Sequence, residues 1–220
     1  MVAAALDRLG PLRAQGVGII VADGGSIDAT VELARSRADQ VLQTLPGRAI
    51  QMNAGARAAG GDVLLFLHID TRLPVGAFEA IAQGLSRPAA QWGRFDVEIE
   101  GRSRWLRMVT LMMNMRSRWS GIATGDQAIF VRTAAFRAVG GFPEIALMED
   151  IALSKALKAL APPVCLRERV VTSGRRWDQN GVWRTIALMW WLRWLYFVGV
   201  SPTRLESIYY RKSAIVNSGR

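Results

Sequence analysis

The run GDVLLFLHIDT (61–71) decides how this chain folds. Asp62 to Leu67 is a nearly unbroken apolar stretch of strand length that runs straight into the polar triplet His68-Ile69-Asp70. Such a run marks a strand covered on both faces, because a strand with one wet side would alternate. Upstream, Arg48 to Ala59 has a helical pattern stopped by Gly60-Gly61, and Gln40 to Thr44 reads as a further strand. Earlier still, Asp28 can cap a helix over Thr30 to Arg37. Val17 to Val21 is another apolar strand, closed by the turn Asp23-Gly24-Gly25-Ser26. Strand, helix, strand in alternation predicts an α/β fold with a Rossmann-like, mostly parallel sheet flanked by helices. Downstream, strands are expected at Trp92 to Ile99 and Asp126 to Val131. Helices are expected at Ser103 to Trp119, Ile151 to Leu160 and Val182 to Val198. No repeat or linker divides the 220 residues, so a single domain over 1–220 is expected.

Composition narrows the chemistry. Half of the residues are hydrophobic and 21% are charged, as in a folded globular protein. The single cysteine, Cys165, excludes an internal disulfide, and its apolar neighbours predict a buried position. The single histidine, His68, excludes any metal site that needs two imidazoles. The net charge of +10 is almost entirely arginine, since the lysines are Lys155, Lys158 and Lys212 alone. That balance suits phosphate-rich partners. No nucleic-acid partner is expected, because no basic recognition helix, zinc site or aromatic RNA-binding motif is present. No G-x-G-x-x-G links the first strand to a helix, which disfavours a dinucleotide enzyme. Met1 to Leu9 lacks the basic start and apolar middle of a signal peptide, so a cytoplasmic location is the default expectation.

Open parallel sheets bind ligands beyond the carboxyl ends of their strands. Asp23 and Asp70 both stand there. Asp23 can accept hydrogen bonds from a nucleobase or ribose, or simply close its own turn. In an extended segment His68 and Asp70 face the same way, and Asp70 is a hard oxygen ligand suited to Mg²⁺ or Mn²⁺ shared with a phosphate. Glu149-Asp150 opens a helix, where the dipole favours acids and where Asp150 can also serve as a general base. Gly140-Gly141-Phe142-Pro143 just upstream reads as a flexible loop near the ligand.

Five segments occur in a telling order: VADGGSIDAT (21–30), GRAIQMNAG (47–55), GDVLLFLHIDT (61–71), GDQAIFVR (125–132) and GGFPEIALMEDIALS (140–154). Together they resemble a family 2 glycosyltransferase of the GT-A fold, and more narrowly the small bacterial arsenosugar-biosynthesis-like subgroup. The resemblance implies a metal-dependent, inverting transfer from a UDP- or GDP-sugar to an acceptor hydroxyl. It assigns Asp23 and Gly24 to the nucleotide turn and Arg48 and Asn53 to the helix lining the nucleotide pocket. His68 and Asp70 become the metal and nucleotide motif, and Asp150 with Glu149 the base motif. Asp126 and Gln127 resemble an acceptor-side pair, while Arg175, Arg176 and Trp177 resemble the segment that meets the diphosphate and acceptor. Three departures stand out. His68 replaces an Asp of the metal motif, Gly24 replaces an acid, and the family's usual first strand has no counterpart, so one wall of the base pocket is expected to be missing. The same departures define an alternative, a catalytically inactive GT-A module that binds a nucleotide or partner.

The segment 181–200 reads as an apolar, Trp-rich helix with Arg184 and Arg193. Its apolar stretch of about 16 residues is shorter than the roughly 20 that span a bilayer. Packing on the sheet, a homodimer interface and peripheral membrane contact with a lipid-linked acceptor all fit it.

Overall fold

The computed structural model describes residues 1–217, with side chains through Tyr209. In chain order the elements are α1 (Val2–Ala14), β1 (Ile20–Asp23), α2 (Thr30–Arg35), β2 (Gln40–Gln43), α3 (Arg48–Ala58), β3 (Val63–Leu65), β4 (Thr71–Arg72), α4 (Ala77–Gly84), β5 (Trp92–Glu100), α5 (Leu106–Ser120), β6 (Phe130–Arg132), α6 (Thr133–Ala138), α7 (Glu149–Leu160), β7 (Val164–Ser173), α8 (Arg175–Asn180), α9 (Val182–Phe197) and α10 (Pro202–Asn217). The Ala-rich start of the chain is thus helical.

The strands form two separate sheets. β1 and β2 pair in parallel, while five strands run in the order β3-β6-β5-β7-β4. The two parallel pairings, β1 with β2 and β5 with β7, hold four and seven register positions. The three antiparallel ones hold three, two and two, so the larger share of the pairing is parallel. Among the described residues no strand pairing joins β1 to β3. At that side the Ala22 carbonyl accepts a hydrogen bond from Gln51 Nε2 of α3 at 2.9 Å, so a side chain substitutes for a neighbouring strand.

β5 is the axis of the larger sheet. Its first four residues, Trp92 to Phe95, are all buried, whereas Asp96 to Glu100 alternates between covered and exposed. Gly93 has no room for a side chain: a Cβ there would lie 2.4 Å from both the Phe130 ring and the Val164 carbonyl. Phe95 and Val97 belong to a core shared with α4, α5 and β7. A second core gathers α3, β3, α6 and α7 around Trp92 and Phe142. Each fully buried side chain of this kind contributes about 1.5–3 kcal/mol. The α1, α2, β1 and β2 unit has a small core of its own, built on Val2, Leu6 and Ala34.

α5 is fastened to β5 by side chains. Asn114 accepts from the Val97 amide and donates to the Val97 carbonyl, each at 2.9 Å, and Thr110 accepts from the Ile99 amide at 3.2 Å. One side-chain amide thereby satisfies a complete backbone donor–acceptor pair inside the protein.

Three expectations are corrected here. Cys165, on β7, is only partly buried, because its strand lies toward the sheet margin and its Sγ faces the Pro163 carbonyl. Asp126 and Gln127 do not belong to a strand. They form a 3₁₀ turn (Gly125–Gln127), and the strand begins only at Phe130. The Gly140-Gly141-Phe142-Pro143 loop is pinned rather than flexible, since Asn53 accepts from the Phe142 amide at 2.9 Å and donates to its carbonyl at 2.8 Å.

Replacing Asn114 with Ala strands the Val97 amide and carbonyl in the core. Asn114→Ala is expected to lower unfolding stability by about 2–4 kcal/mol, measured by urea denaturation; a loss under about 0.5 kcal/mol contradicts the fastening role.

Candidate active site

A cleft of about 2110 Å³ opens between the two sheets. It brings together Asp23, Arg48, His68, Asp70, Asp126, Glu149, Asp150, Arg175, Arg176 and Trp177, which come from distant parts of the chain. Gly24, Asn53 and Gln127 do not line it.

The carboxylates at its floor are placed by α7. Met148, just before this helix, is held in the left-handed backbone region at φ 73°, an unfavourable conformation for a side chain of this size. That turn aims Glu149 and Asp150 from the first turn of α7 toward the cleft. Asp150 Oδ2 accepts the Gly125 amide at 2.9 Å, and Oδ1 accepts the Ile151 amide at 2.7 Å. Ser154, one turn on, accepts from the Ala123 amide at 3.1 Å and donates to its carbonyl at 3.2 Å. The 3₁₀ turn is therefore fixed to α7 by two residues. Its other side meets His68: a Cβ on Gly125 would come 2.6 Å from the imidazole Cε1, so glycine permits the contact. His68 Nδ1 lies 3.7 Å from Asp126 Oδ1, and Arg48 Nη1 lies 3.8 Å from Glu149 Oε1.

Burial sets the ionisation of this group. It pushes Glu149 above the usual carboxyl range, helped by the adjacent Asp150 charge, and Arg48 opposes the shift only weakly. Burial also pushes Asp150 upward, against the Gly125 and Ile151 amides that favour its charged form. Asp150 nevertheless keeps partial access to the cleft.

Asp23 behaves differently. Its Oδ2 accepts the Gly25 and Ser26 amides at 2.9 and 2.8 Å, and its Oδ1 accepts the Ser26 hydroxyl at 2.5 Å. The Ser26 hydroxyl is the main cause holding this carboxyl below its ordinary range. The residue closes its own turn and lines the cleft at once. Gly24 is backed by the Gln51 side chain, which a Cβ there would approach to 3.0 Å. Asn53 is corrected from a pocket-lining residue to a pin, its amide consumed by Phe142. Gln127 is corrected likewise. It is fully buried, and its Oε1 caps the turn through the Thr124 amide at 3.2 Å.

His68 and Asp70 do not sit in an extended strand, because β3 ends at Leu65 and the Thr71 amide bonds the His68 carbonyl at 3.0 Å in a turn. Both reach the cleft from that turn. Arg175 and Arg176 belong to α8, which follows β7, and the Arg176 guanidinium lies over the Tyr209 ring at 4.9 Å. Sequence reasoning missed Arg116. This α5 residue also lines the cleft, close enough to Asp150 for their charges to attract. Burial pulls its guanidinium below the usual range, and its Nε and Nη2 have no hydrogen-bond partner among the described residues.

Among the described residues no three His, Cys, Asp or Glu side chains gather to hold a metal alone. His68 and Asp126, 3.7 Å apart, line the cleft together with Asp70.

Solved structures share this architecture. The S. aureus TarS 1–349 structure matches at a TM-score of 0.56 and 18% identity, covering 78% of this chain and 55% of that one. The mannosyltransferase PcManGT from Pyrobaculum calidifontis, solved with GDP-Man and Mn²⁺, matches at 0.59 and 17%, covering 97% and 66%. Glucosyl-3-phosphoglycerate synthase from Mycobacterium tuberculosis, solved with Mn²⁺, UDP and glucosyl-3-phosphoglycerate, matches at 0.53 and 15%, covering 78% and 65%. The chain spans about half the length of the TarS structure. No curated protein sequence matches it. These likenesses establish the GT-A fold. Residues 2–139 match Glycosyl transferase family 2, and the chain belongs to that family.

A carboxyl whose pKa is higher in the folded than in the unfolded chain stabilises the fold below its ordinary value, and this contribution is lost as pH rises through the raised one. Glu149→Gln is therefore expected to melt above the parent near neutral pH, with the gap closing toward the ordinary value of 4.5. A Tm series from about pH 4 to about pH 8 checks it, and a gap that widens on acidification contradicts the sign.

Proposed function

We propose that the protein transfers a sugar from a nucleotide-sugar donor, UDP- or GDP-linked, to an acceptor hydroxyl with inversion at the anomeric carbon. The observation that carries this reading is the meeting of Asp23, Asp70 and Asp150 in one cleft with Arg48, Arg175 and Arg176. The nucleotides and Mn²⁺ bound in the complexes of PcManGT and glucosyl-3-phosphoglycerate synthase support it.

In this reading Asp23, on its pre-formed turn, receives the nucleoside end of the donor. Asp70, with His68, would hold a Mg²⁺ or Mn²⁺ ion whose chemistry is to offset charge on the diphosphate. Arg175 and Arg176 add paired donors. Asp150, beside Glu149, takes the proton from the acceptor hydroxyl as that oxygen bonds to the anomeric carbon. The bond from that carbon to the diphosphate oxygen breaks, and the nucleoside diphosphate leaves with the bonding pair. The raised pKa of Asp150 suits a base, because a carboxylate that binds protons more tightly removes one more readily. Since Asp150 has to be charged to act, the rate rises with pH through that raised value. His68 supplies one negative charge fewer than an aspartate would, so weaker binding of the ion is expected than at an all-carboxylate site.

Asp150→Asn should lower turnover about 10²–10⁴-fold with nucleotide affinity nearly unchanged, while Asp70→Ala should remove the Mn²⁺-dependent part of nucleotide binding. Thermal shift across nucleoside diphosphates, with and without Mn²⁺, followed by donor hydrolysis, measures both. Nucleotide stabilisation without any turnover would identify an inactive binding module instead. Full activity in Asp150→Asn would remove Asp150 from the base role.

A further inference from the structure

Arg116 is a cleft residue whose chemistry the proposed donor reaction leaves unused. Its Nε and Nη2 are out of contact with solvent and unpartnered among the described residues. A guanidinium keeps its proton at any ordinary pH, and unmet buried donors on a charged group are costly. The charges that act on it are those of Asp150, which attracts, and Arg94, which repels. Neither relieves it. No hydrogen bond joins these Arg116 atoms to Asp150 among the described residues, and Arg94 is engaged by Asp96 and by the Asn114 carbonyl. Arg116 lines the cleft, so a ligand there lies within reach of this side chain.

The wall around Arg116 is apolar. Met112, Met113 and Met115 of the same helix line the cleft, as do Met189 and Trp190 of α9. Methionines form an adaptable lining suited to hydrocarbon rather than to sugar hydroxyls. Outward, α5 and α9 join through the Trp105 and Trp183 rings, 5.4 Å apart. Trp190, Trp191, Trp194 and Phe197 then stand exposed along α9, with Phe197 89% exposed. Residues 101–125 and 179–205 contain no acid, while Arg104, Arg107 and Arg184 are exposed there. An apolar, aromatic and cationic rim of this kind fits the headgroup zone of an anionic lipid surface.

Resting on the glycosyl-transfer reading, we propose that the acceptor is an amphiphilic anion, its phosphate or carboxylate held by Arg116 beside Asp150 and its apolar part lying along the methionine wall. The attacking group is a separate hydroxyl of this acceptor, since Asp150 has to receive its proton.

Decyl phosphate below its micellar concentration is the probe, with inorganic phosphate and decyl maltoside as its charged and apolar halves. Calorimetric titration of the full chain is expected to give decyl phosphate at least about tenfold tighter binding than either half. Arg116→Gln should abolish that advantage and leave the Kd for nucleoside diphosphate within about twofold, and Arg116→Lys should restore part of it. Met112→Gln with Met115→Gln, at exposed positions that do not threaten folding, should weaken decyl phosphate but not inorganic phosphate. Equal binding of inorganic phosphate and decyl phosphate would reduce the site to one for a free phosphate and overturn the proposal. Loss of nucleotide affinity in Arg116→Gln would move the residue to the donor side and overturn it equally. Failure of every nucleotide to bind while decyl phosphate still does would instead sink the transfer reading and leave the anion site standing.

Discussion

The bond from the Gly125 amide to Asp150 holds the site together. It ties the first turn of α7 to the 3₁₀ turn, and through Gly125 it sets the His68 ring and Asp126 in relation to the two carboxylates. An acid at a helix start is stabilised by the free amides and dipole there. Here that stabilisation works against burial, so the carboxylate is fixed in place yet remains avid for a proton. Strain at Met148 is the accompanying cost, sustained by the packing of its buried side chain with Leu147, Leu192 and Leu205.

Asn53, Asn114 and Ser154 repeat one device. Each carries a donor and an acceptor and uses both on a single residue's backbone amide and carbonyl: Phe142, Val97 and Ala123. The irregular segments at Phe142 and Ala123 thus gain the rigidity of regular structure without its hydrogen-bond ladder. For the proposed transfer, rigid surroundings favour a departing diphosphate, because fixed dipoles need no reorganisation as charge moves.

The sequence was most readable where one period dominated. The apolar run before His68, the β5 stretch from Trp92 and the Trp-rich α9 were placed within a few residues. The motif carboxylates were legible from their positions after strands and at a helix start. β7 escaped because Arg167-Glu168-Arg169 interrupts its apolar pattern, and its pairing with β5 outweighs that local signal. Asp126 and Gln127 were drawn into a strand by the apolar run behind them, although Gln127 has to turn back to cap Thr124. Asn53 was assigned to the pocket-lining helix by the family resemblance, whereas its partner, Phe142, lies 89 residues away. Arg116 gave no local sign at all. In a chain with so many arginines, only the packing of α5 against the cleft distinguishes a stranded guanidinium from a solvated one.

The division of the sheet bears on how the molecule holds its shape. Asp23 stands on the small body with its own core, and Asp70, Asp126 and Asp150 stand on the large one. With no ladder of strand bonds across the seam among the described residues, a molecule lodged between Asp23 and the α7 carboxylates would act as a strut joining the two bodies. Any molecule that binds there stabilises the folded chain in step with its affinity.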